Sequence, residues 1–166
     1  MILKNIEIKA KIANYKKIVD LVEHICPEPP EIENQVDTFF NAPRGRLKLR
    51  ETARNSVLIY YDRPDAYQPK FSDIIVSTIE NPKTLKKVLS KSIGIRGIVE
   101  KNRKLYKYEQ TRIHLDNVKG LGRFIELEVV LKKNQPKHDG EKIAHDLMHN
   151  LEIHRKDLIK VAYIDF

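Results

Sequence analysis

Apolar and polar residues alternate one for one along most of the chain. Successive side chains of a β-strand point to opposite faces, so this period of two predicts half-buried strands. Turn-forming residues separate the alternating segments, as expected for strands joined by short connections. The predicted strands are residues 2–11, 36–41, 46–53, 56–62, 71–79, 95–108, 111–116 and 122–131. The segment 95–108 is long enough for two strands or for one strongly bent strand.

Helical spacing of apolar residues is confined to short segments between the strands. These segments are residues 14–25, 82–91 and 140–151. Asn14 and Asn81 are suitable N-caps for the first two, and Pro82 fits the first helical position. Residues 155–160 can form one further short turn, and the proline-rich segment 26–34 predicts a rigid connector.

The order of these elements predicts an α+β fold. Strands outnumber helices and do not alternate with them one for one, which argues against a doubly wound parallel sheet. We therefore expect an antiparallel sheet or barrel with short helices packed outside it. No change of composition and no linker divides the 166 residues, so we expect a single domain over residues 1–166.

Composition excludes several classes of protein. Apolar residues make up 41% of the chain, which is enough for a hydrophobic core and excludes a wholly disordered chain. No apolar run approaches the roughly 20 residues needed to cross a bilayer, and the first residues do not resemble a signal peptide. One cysteine, Cys26, can form no internal disulfide. These features predict a cytoplasmic protein that does not contact a membrane.

Charged residues share one face in each of five predicted strands. The sets are Asn5, Glu7, Lys9 and Lys11; Arg46, Lys48 and Arg50; Lys101 and Arg103; Arg112, His114 and Asp116; and Glu126 and Glu128. For any one strand, the simplest interpretation is an ordinary solvated face. Five such strands, with bases clustered on some and carboxylates on others, favour a second interpretation, in which the charged faces point into a barrel.

The chain carries 31 Lys and Arg against 23 Asp and Glu, a formal charge of +8, so it should attract anions. Basic side chains turned into a barrel repel one another unless a polyanion such as a triphosphate lies between them. Carboxylates beside that ligand would repel it unless a divalent cation intervened. Glu7, Glu126, Glu128 and Asp116 are therefore candidate oxygen ligands for Mg²⁺ or Mn²⁺.

Ordered motifs along nearly the whole chain resemble the CYTH, or triphosphate tunnel, superfamily. The chain is most similar to the class IV adenylyl cyclase and thiamine triphosphatase group. The motifs are N-I-E-I-K at 5–9, where the family has E-x-E-x-K, Q-V-D-T-F-F at 35–40, R-L-K-L-R-E at 46–51, V-E-K-N-R at 99–103, and R-I-H-L-D-N-V-K-G-L-G-R-F-I-E-L-E at 112–128. The last motif is long and ordered, which makes it the most specific.

The resemblance implies an eight-stranded antiparallel barrel whose tunnel binds a triphosphate and a metal. By position it implies Glu126, Glu128, Lys9 and Arg50 as catalytic residues. The implied substrate-binding residues are Lys9, Lys11, Lys48, Arg50, Arg63, Lys101, Arg103, Arg112 and His114. The implied metal ligands are Asn5, Glu7, Asp116, Glu126 and Glu128.

The chain departs from the family pattern at two positions. Asn5 stands where the family has its first glutamate, which removes one charge but keeps a carbonyl oxygen. Tyr61 replaces a family lysine, and Arg63 is a possible substitute for it. These departures leave two hypotheses: a metal-dependent enzyme, and a polyphosphate or nucleotide binding module without turnover.

The candidate ligands are triphosphate-containing small molecules, namely ATP, tripolyphosphate or thiamine triphosphate. An enzyme would either cyclise ATP to cyclic AMP and pyrophosphate or hydrolyse a terminal phosphate. The H-D-L-M-H sequence at 145–149 is a poor match to a zinc protease motif, and no RNA-recognition motif accompanies the tyrosines. We expect no specific nucleic-acid partner and either a monomer or a homodimer.

Overall fold

Eight antiparallel strands form a closed barrel in the computed structural model, which describes all 166 residues. The strands are β1 (Ile2–Lys11), β2 (Glu31–Phe40), β3 (Arg46–Glu51), β4 (Ser56–Asp62), β5 (Lys70–Thr78), β6 (Ile95–Tyr108), β7 (Thr111–Val118) and β8 (Gly122–Val130). Around the barrel they follow the order β1-β5-β4-β3-β2-β6-β7-β8, and β8 pairs with β1 to close it. This confirms the predicted fold class.

Residues 95–108 form one strand, β6, which is the second of the two predicted alternatives. One strand prediction needed correction. The predicted connector 26–34 ends early, because Glu31 to Asn34 belong to β2 and pair with β6 in regular antiparallel register, from Glu31 opposite Leu105 to Asn34 opposite Asn102. Only residues up to Pro30 connect α1 to β2, so pairing with a long partner strand outweighs the local signal of the prolines.

Three α-helices pack outside the barrel: α1 (Tyr15–Ile25), α2 (Pro82–Ser92) and α3 (Lys137–Asn150). Asn14 Oδ1 accepts a hydrogen bond from the Lys17 backbone N–H at 3.1 Å, and Asn81 Oδ1 accepts one from Thr84 at 3.2 Å, so both predicted caps are present. Short 3₁₀ helices follow at residues 155–157 and 163–165. None of the helices is long and apolar enough to cross a membrane.

The main hydrophobic core lies between the barrel and two of these helices. Aliphatic side chains of β1, β7 and β8, such as Ile8, Leu115 and Leu127, point outward and pack with Val22 of α1 and Leu147 of α3. A Cβ atom at Gly140 of α3 would lie within 2.6 Å of Leu131 and 2.8 Å of Ile6, so a glycine is needed for this close approach. The outward direction of the aliphatic faces leaves the charged faces inside.

The C-terminal segment closes one end of the barrel. Leu158 forms an isolated β-bridge with Ala10, and the Ile159 backbone N–H donates to the Lys9 carbonyl at 2.8 Å. Tyr163 then enters the barrel, and Asp165 pairs with Arg46 at 2.8 Å. Access to the interior is therefore from the opposite end, where β1 begins and β5 ends.

Candidate functional site

A cavity of about 280 Å³ occupies the barrel interior. Eleven of the residues predicted for the site line it: Glu7, Lys9, Lys48, Arg50, Arg63, Lys101, Arg103, Arg112, His114, Glu126 and Glu128. Alternation places them there, because the aliphatic residues between them point outward into the helix-covered core. The charged faces of the strands are thus directed into one space.

One side of the cavity is a cationic wall, formed by Lys48 and Arg50 of β3 and Lys101 of β6 around Asp37 of β2. Arg50 makes a bidentate pair, Nε to Oδ1 at 2.7 Å and Nη2 to Oδ2 at 2.8 Å. Lys48 and Lys101 donate to Asp37 Oδ2 at 2.9 Å and 3.1 Å. Three cations therefore share one carboxylate that is 1% exposed.

The pKa values in the cationic wall reflect this excess of positive charge. Burial, together with the neighbouring Arg50, lowers the pKa of Lys48 to about 8. Burial also lowers the pKa of Lys101 to about 7, and Asp37 opposes this shift only in part. Burial alone would raise the pKa of Asp37, but the charges of Arg50, Lys101 and Lys48 hold it well below its usual range. The wall lacks negative charge, and an anionic ligand would supply it.

The other side of the cavity is an acidic wall, formed by Glu7 of β1 and by Glu126 and Glu128 of β8. The register places Glu7 opposite Glu128 and Lys9 opposite Glu126. The Lys9 ammonium lies 4.0 Å from Glu7 Oε1 and 3.7 Å from Glu126 Oε1. Burial and the nearby Glu126 raise the pKa of Glu7. The Lys9 ammonium thus occupies the position between the two carboxylates where a metal cation could lie.

Two arginine side chains neutralise the rest of the acidic wall, and a histidine side chain lies beside it. Arg63 lies 3.5 Å from Glu7, and Arg112 lies 3.4 Å from Glu128. His114 Nδ1 is 3.5 Å from Glu126 Oε2, while burial and Arg103 lower the pKa of His114. His114 is therefore neutral at pH 7, and its Nδ1 has no hydrogen-bond partner.

Arg103 connects the acidic wall with a buried pair behind the cavity. Its guanidinium donates to both oxygens of Asp116 at 2.6 Å and to Glu126 Oε2 at 3.0 Å. The Tyr163 hydroxyl donates to Asp116 Oδ2 at 2.9 Å, and the Tyr163 ring centroid lies 4.1 Å from Lys9 Nζ. Burial would raise the pKa of Asp116, but Arg103 lowers it to about 2. These contacts fix the Arg103 guanidinium, whose Nη2 donates to both Asp116 and Glu126.

Three residues of the predicted site do not line the cavity. Asp116, predicted as a metal ligand, has no exposed surface, because the C-terminal segment covers it and Arg103 and Tyr163 occupy its oxygens. Lys11, predicted to bind substrate, lies past the end of the cavity and lines a separate groove beside α1. Asn5 is buried beside the acidic wall and donates from Nδ2 to Glu128 Oε1 at 2.6 Å.

Sequence reasoning missed several residues that shape the site. Asp37, at the centre of the cationic wall, stands in the Q-V-D-T-F-F motif, where alternation of Gln35, Asp37 and Phe39 was the available signal. Lys70 is 1% exposed and donates to the Ile159 carbonyl at 2.9 Å. Tyr163 lies in a segment whose sequence has no regular alternation, so no local pattern predicted that it lines the site.

The donor atoms near the acidic wall are oxygens, the type of ligand that a hard divalent cation binds. Asn5 Oδ1 and Glu7 Oε1 are buried without hydrogen-bond partners, beside the carboxylates of Glu126 and Glu128. Oxygen-only ligands of this type are those that Mg²⁺ and Mn²⁺ prefer. In the described conformation no three acidic, histidine or cysteine side chains converge on one point, at this wall or around His145 and His149. Holding a metal here therefore requires the carboxylates to turn away from Lys9.

Comparison with known proteins assigns the chain to a family. The sequence pattern of the CYTH domain matches residues 3–163. A Methanocaldococcus jannaschii protein named "Putative adenylate cyclase MJ0240" is 24% identical over 169 residues, with 96% of each chain covered. The structure of the PH1012 protein from Pyrococcus horikoshii OT3 is similar with a TM-score of 0.85 and 24% identity, covering 97% of this chain and 98% of that one.

The solved structure of a Vibrio parahaemolyticus protein, named "a putative adenylate cyclase", is similar to this chain with a TM-score of 0.77. It is 16% identical, and the match covers 98% of this chain and 96% of that one. At these identities the two solved structures support the fold alone. The CYTH domain match spans nearly every residue that forms the barrel. The chain belongs to the CYTH family.

Proposed function

We propose that this protein is a divalent-metal-dependent enzyme that acts on a triphosphate compound bound inside the barrel. The observation that carries the proposal is the pairing of a cationic wall with an acidic wall in one cavity. A site that only captured anions would gain nothing from Glu7, Glu126 and Glu128 facing its ligand, because like charges repel.

The cationic wall is the proposed phosphate-binding surface. Lys48, Arg50 and Lys101 already point their donors toward one buried carboxylate, so they are ordered before a ligand arrives. Phosphate oxygens accept such charge-assisted hydrogen bonds, and planar guanidinium groups do so in pairs. Arg103 extends this surface toward the acidic wall, and Arg112 lies nearer the open end, with 41% of its side chain exposed.

The acidic wall is the proposed metal site. Glu7, Glu126 and Glu128 would hold Mg²⁺ or Mn²⁺, with the Asn5 carbonyl oxygen as a neutral fourth donor. A bound divalent cation would neutralise charge on the phosphates and polarise the phosphorus–oxygen bonds. Lys9, released from its position between Glu7 and Glu126, would then be free to pair with a phosphate oxygen.

Cyclisation of ATP is the reaction that the names of the relatives favour. In that reaction the ribose 3′-oxygen forms a bond to the α-phosphorus, the bond from that phosphorus to the bridging oxygen breaks, and pyrophosphate leaves. The hydroxyl proton needs an acceptor, and the neutral imidazole of His114, which lines the cavity, is the candidate. Hydrolysis of tripolyphosphate or thiamine triphosphate uses the same two walls with water in place of the 3′-hydroxyl.

A binding module without turnover is the second candidate, favoured by two observations. Asn5 has an amide where the family motif has a carboxylate, and Lys9 already neutralises Glu7 and Glu126. Such a protein would bind triphosphates without metal.

A panel of assays separates the candidates. The purified protein is incubated with ATP, tripolyphosphate or thiamine triphosphate in Mg²⁺, Mn²⁺ or a chelator, and both cyclic AMP and released phosphate are measured. The proposal expects metal-dependent product from at least one compound, and the product identifies the reaction. Metal-independent binding with no product from any of the three would support the binding module instead.

A further inference from the structure

The H-D-L-M-H segment at 145–149 lies outside the barrel and takes no part in the site described above. It belongs to α3, which runs without a break from Lys137 to Asn150. His145 and His149 are four residues apart, so an α-helix places their side chains on one face, one turn apart. Because the Cβ atoms of such a pair are about 5 to 6 Å apart, both imidazoles can reach a single ion.

The two imidazoles are exposed and have no side-chain partner. Leu147, between them in the sequence, is buried in the hydrophobic core, so the histidines face away from the barrel. His138 of the same helix is also exposed, but its Nε2 lies 3.0 Å from Asp139 Oδ1. No such contact engages His145 or His149, and both side chains can therefore turn toward a shared ligand.

The helix surface around this histidine pair favours a cation. Glu141 lies one turn before His145, and Asp146 lies three residues before His149, so both carboxylates are neighbours of the pair. Lys142 is the only lysine or arginine in this part of the helix. The local charge is thus negative on a chain whose formal charge is +8.

An imidazole nitrogen is a ligand for Zn²⁺, Ni²⁺ and Cu²⁺, whereas Mg²⁺ and Mn²⁺ prefer oxygen. We propose that His145 and His149 together bind one transition-metal ion of the first group, with water completing its coordination shell. The exposed pair has neither a third protein ligand nor a cleft, so this is a binding site and not a second active site. The inference does not rest on the proposed function, because neither histidine lines the barrel cavity.

Binding of this ion requires the folded helix. An unfolded chain does not hold two histidines one turn apart, so the ion binds the native state preferentially and stabilises it. The histidine pair lies on the helix that packs against β1 and β8, with Leu147 and Ala144 in the core. Metal binding should therefore raise the temperature of thermal unfolding.

The test is calorimetric titration of Ni²⁺, and separately of Zn²⁺, into the parent protein and its variants in excess Mg²⁺. The Mg²⁺ competes for the barrel carboxylates but is a poor partner for imidazole. The test variants are His145→Ala and His149→Ala, which change exposed side chains to a good helix former. His138→Ala is the matched control on the same helix.

A second control changes only the spacing of the pair. His149→Asn combined with Asn150→His keeps the number of histidines but moves one of them by about 100° around the helix, away from His145. Both positions are exposed, so the exchange leaves the packing of α3 intact. Thermal unfolding without metal checks that every variant is folded.

The inference predicts one Ni²⁺ or Zn²⁺ ion per chain in the parent protein. His145→Ala and His149→Ala should each bind about a hundredfold more weakly, because the second metal–imidazole bond of the pair forms intramolecularly. The spacing variant should lose as much affinity as His149→Ala, and His138→Ala should equal the parent. Ni²⁺ should raise the unfolding temperature of the parent and of His138→Ala alone.

The contrary outcomes are distinct. Absence of Ni²⁺ and Zn²⁺ binding in the parent, or binding that survives His145→Ala and His149→Ala, overturns the inference. An equal loss in His138→Ala, or full affinity in the spacing variant, overturns it as well, because binding would then not depend on the pair. None of these results bears on triphosphate binding in the barrel, so the proposed function stands or falls separately.

Discussion

The cationic and acidic walls of the cavity differ in how their charges are balanced. In the cationic wall, three cations share the single carboxylate of Asp37. In the acidic wall, each of Glu7, Glu126 and Glu128 already has a basic partner. One wall is thus short of negative charge and suited to an anion, whereas the other would have to exchange its present partners to hold the proposed metal.

This difference means that phosphate binding and metal binding place separate demands on the chain. The cationic wall already has its ammonium and guanidinium groups held in place by Asp37. The acidic wall needs Lys9 to move, which couples metal binding to occupation of the cavity. Substitutions in the two walls should therefore have different effects on turnover and on affinity.

The largest effect is expected from the acidic wall. Glu126→Gln combined with Glu128→Gln removes two charges that would hold the metal, so metal-dependent turnover should fall by about a thousandfold or more. The measurement is initial rate in Mg²⁺ or Mn²⁺, with thermal unfolding to confirm the fold. Glu100→Gln, on the exposed outer face of β6, is the matched control. Turnover of the double variant at the parental rate would remove both residues from the site.

The cationic wall should govern affinity. Lys48→Ala combined with Arg50→Ala should weaken tripolyphosphate binding by a few kcal/mol, since each hydrogen bond to a charged group contributes about 1.5 to 3 kcal/mol. Calorimetry without metal isolates this contribution. Arg54→Ala, in the exposed turn between β3 and β4, is the control, and its affinity should equal that of the parent. Unchanged affinity in the double variant would place the phosphates elsewhere.

The pH dependence of binding should distinguish the lysines from the arginines. Lys101 and Lys48, with pKa values of about 7 and about 8, would bind phosphate as cations under the proposed function. A group with a lowered pKa loses its proton as pH rises through that value, so affinity should fall about tenfold between about pH 6.5 and about pH 8.5. Lys101→Arg keeps its charge over this range and should flatten the profile. A parental profile that is flat or rises with pH contradicts a role for these amines.

The smallest effect is expected at Asn5. Asn5→Glu restores a carboxylate beside Glu128 and should lower the metal concentration for half-maximal activity by a few-fold. In a binding module that works without metal, the same change should instead weaken tripolyphosphate binding by repulsion. Metal titration of the parent protein and of the Asn5→Glu variant, with turnover and tripolyphosphate affinity measured in parallel, separates these results. Asn34→Glu, on the exposed side of β2, is the control.

Alternation along the strands predicted most of the barrel and the site, because a period of two fixes which side chains share a face. It placed Lys48 with Arg50 and Glu126 with Glu128 before any strand pairing was known. Asp37 was not predicted for the site although it alternates with Gln35 and Phe39, because its role depends on the register of β2 with β3 and β6. A register of this kind is set by the closed barrel and not by local sequence.

Asp116 shows a second limit of what alternation along the strands can predict. Its position two residues after His114 correctly placed it on the inner face of β7. The C-terminal segment then brings Tyr163 against it, so its oxygens serve Arg103 and Tyr163. Docking of an irregular segment onto a distant strand carries no periodicity, and only the folded chain reveals it.

The most direct test of the two-wall account is calorimetric titration of tripolyphosphate into the parent protein, with and without Mn²⁺. We expect one binding site per chain in the absence of metal, and a tighter Kd when Mn²⁺ is present, because the cation would shield the phosphates from Glu7, Glu126 and Glu128. Absence of binding, or binding that Mn²⁺ does not strengthen beyond its effect on the Glu126→Gln and Glu128→Gln double variant, would contradict the account.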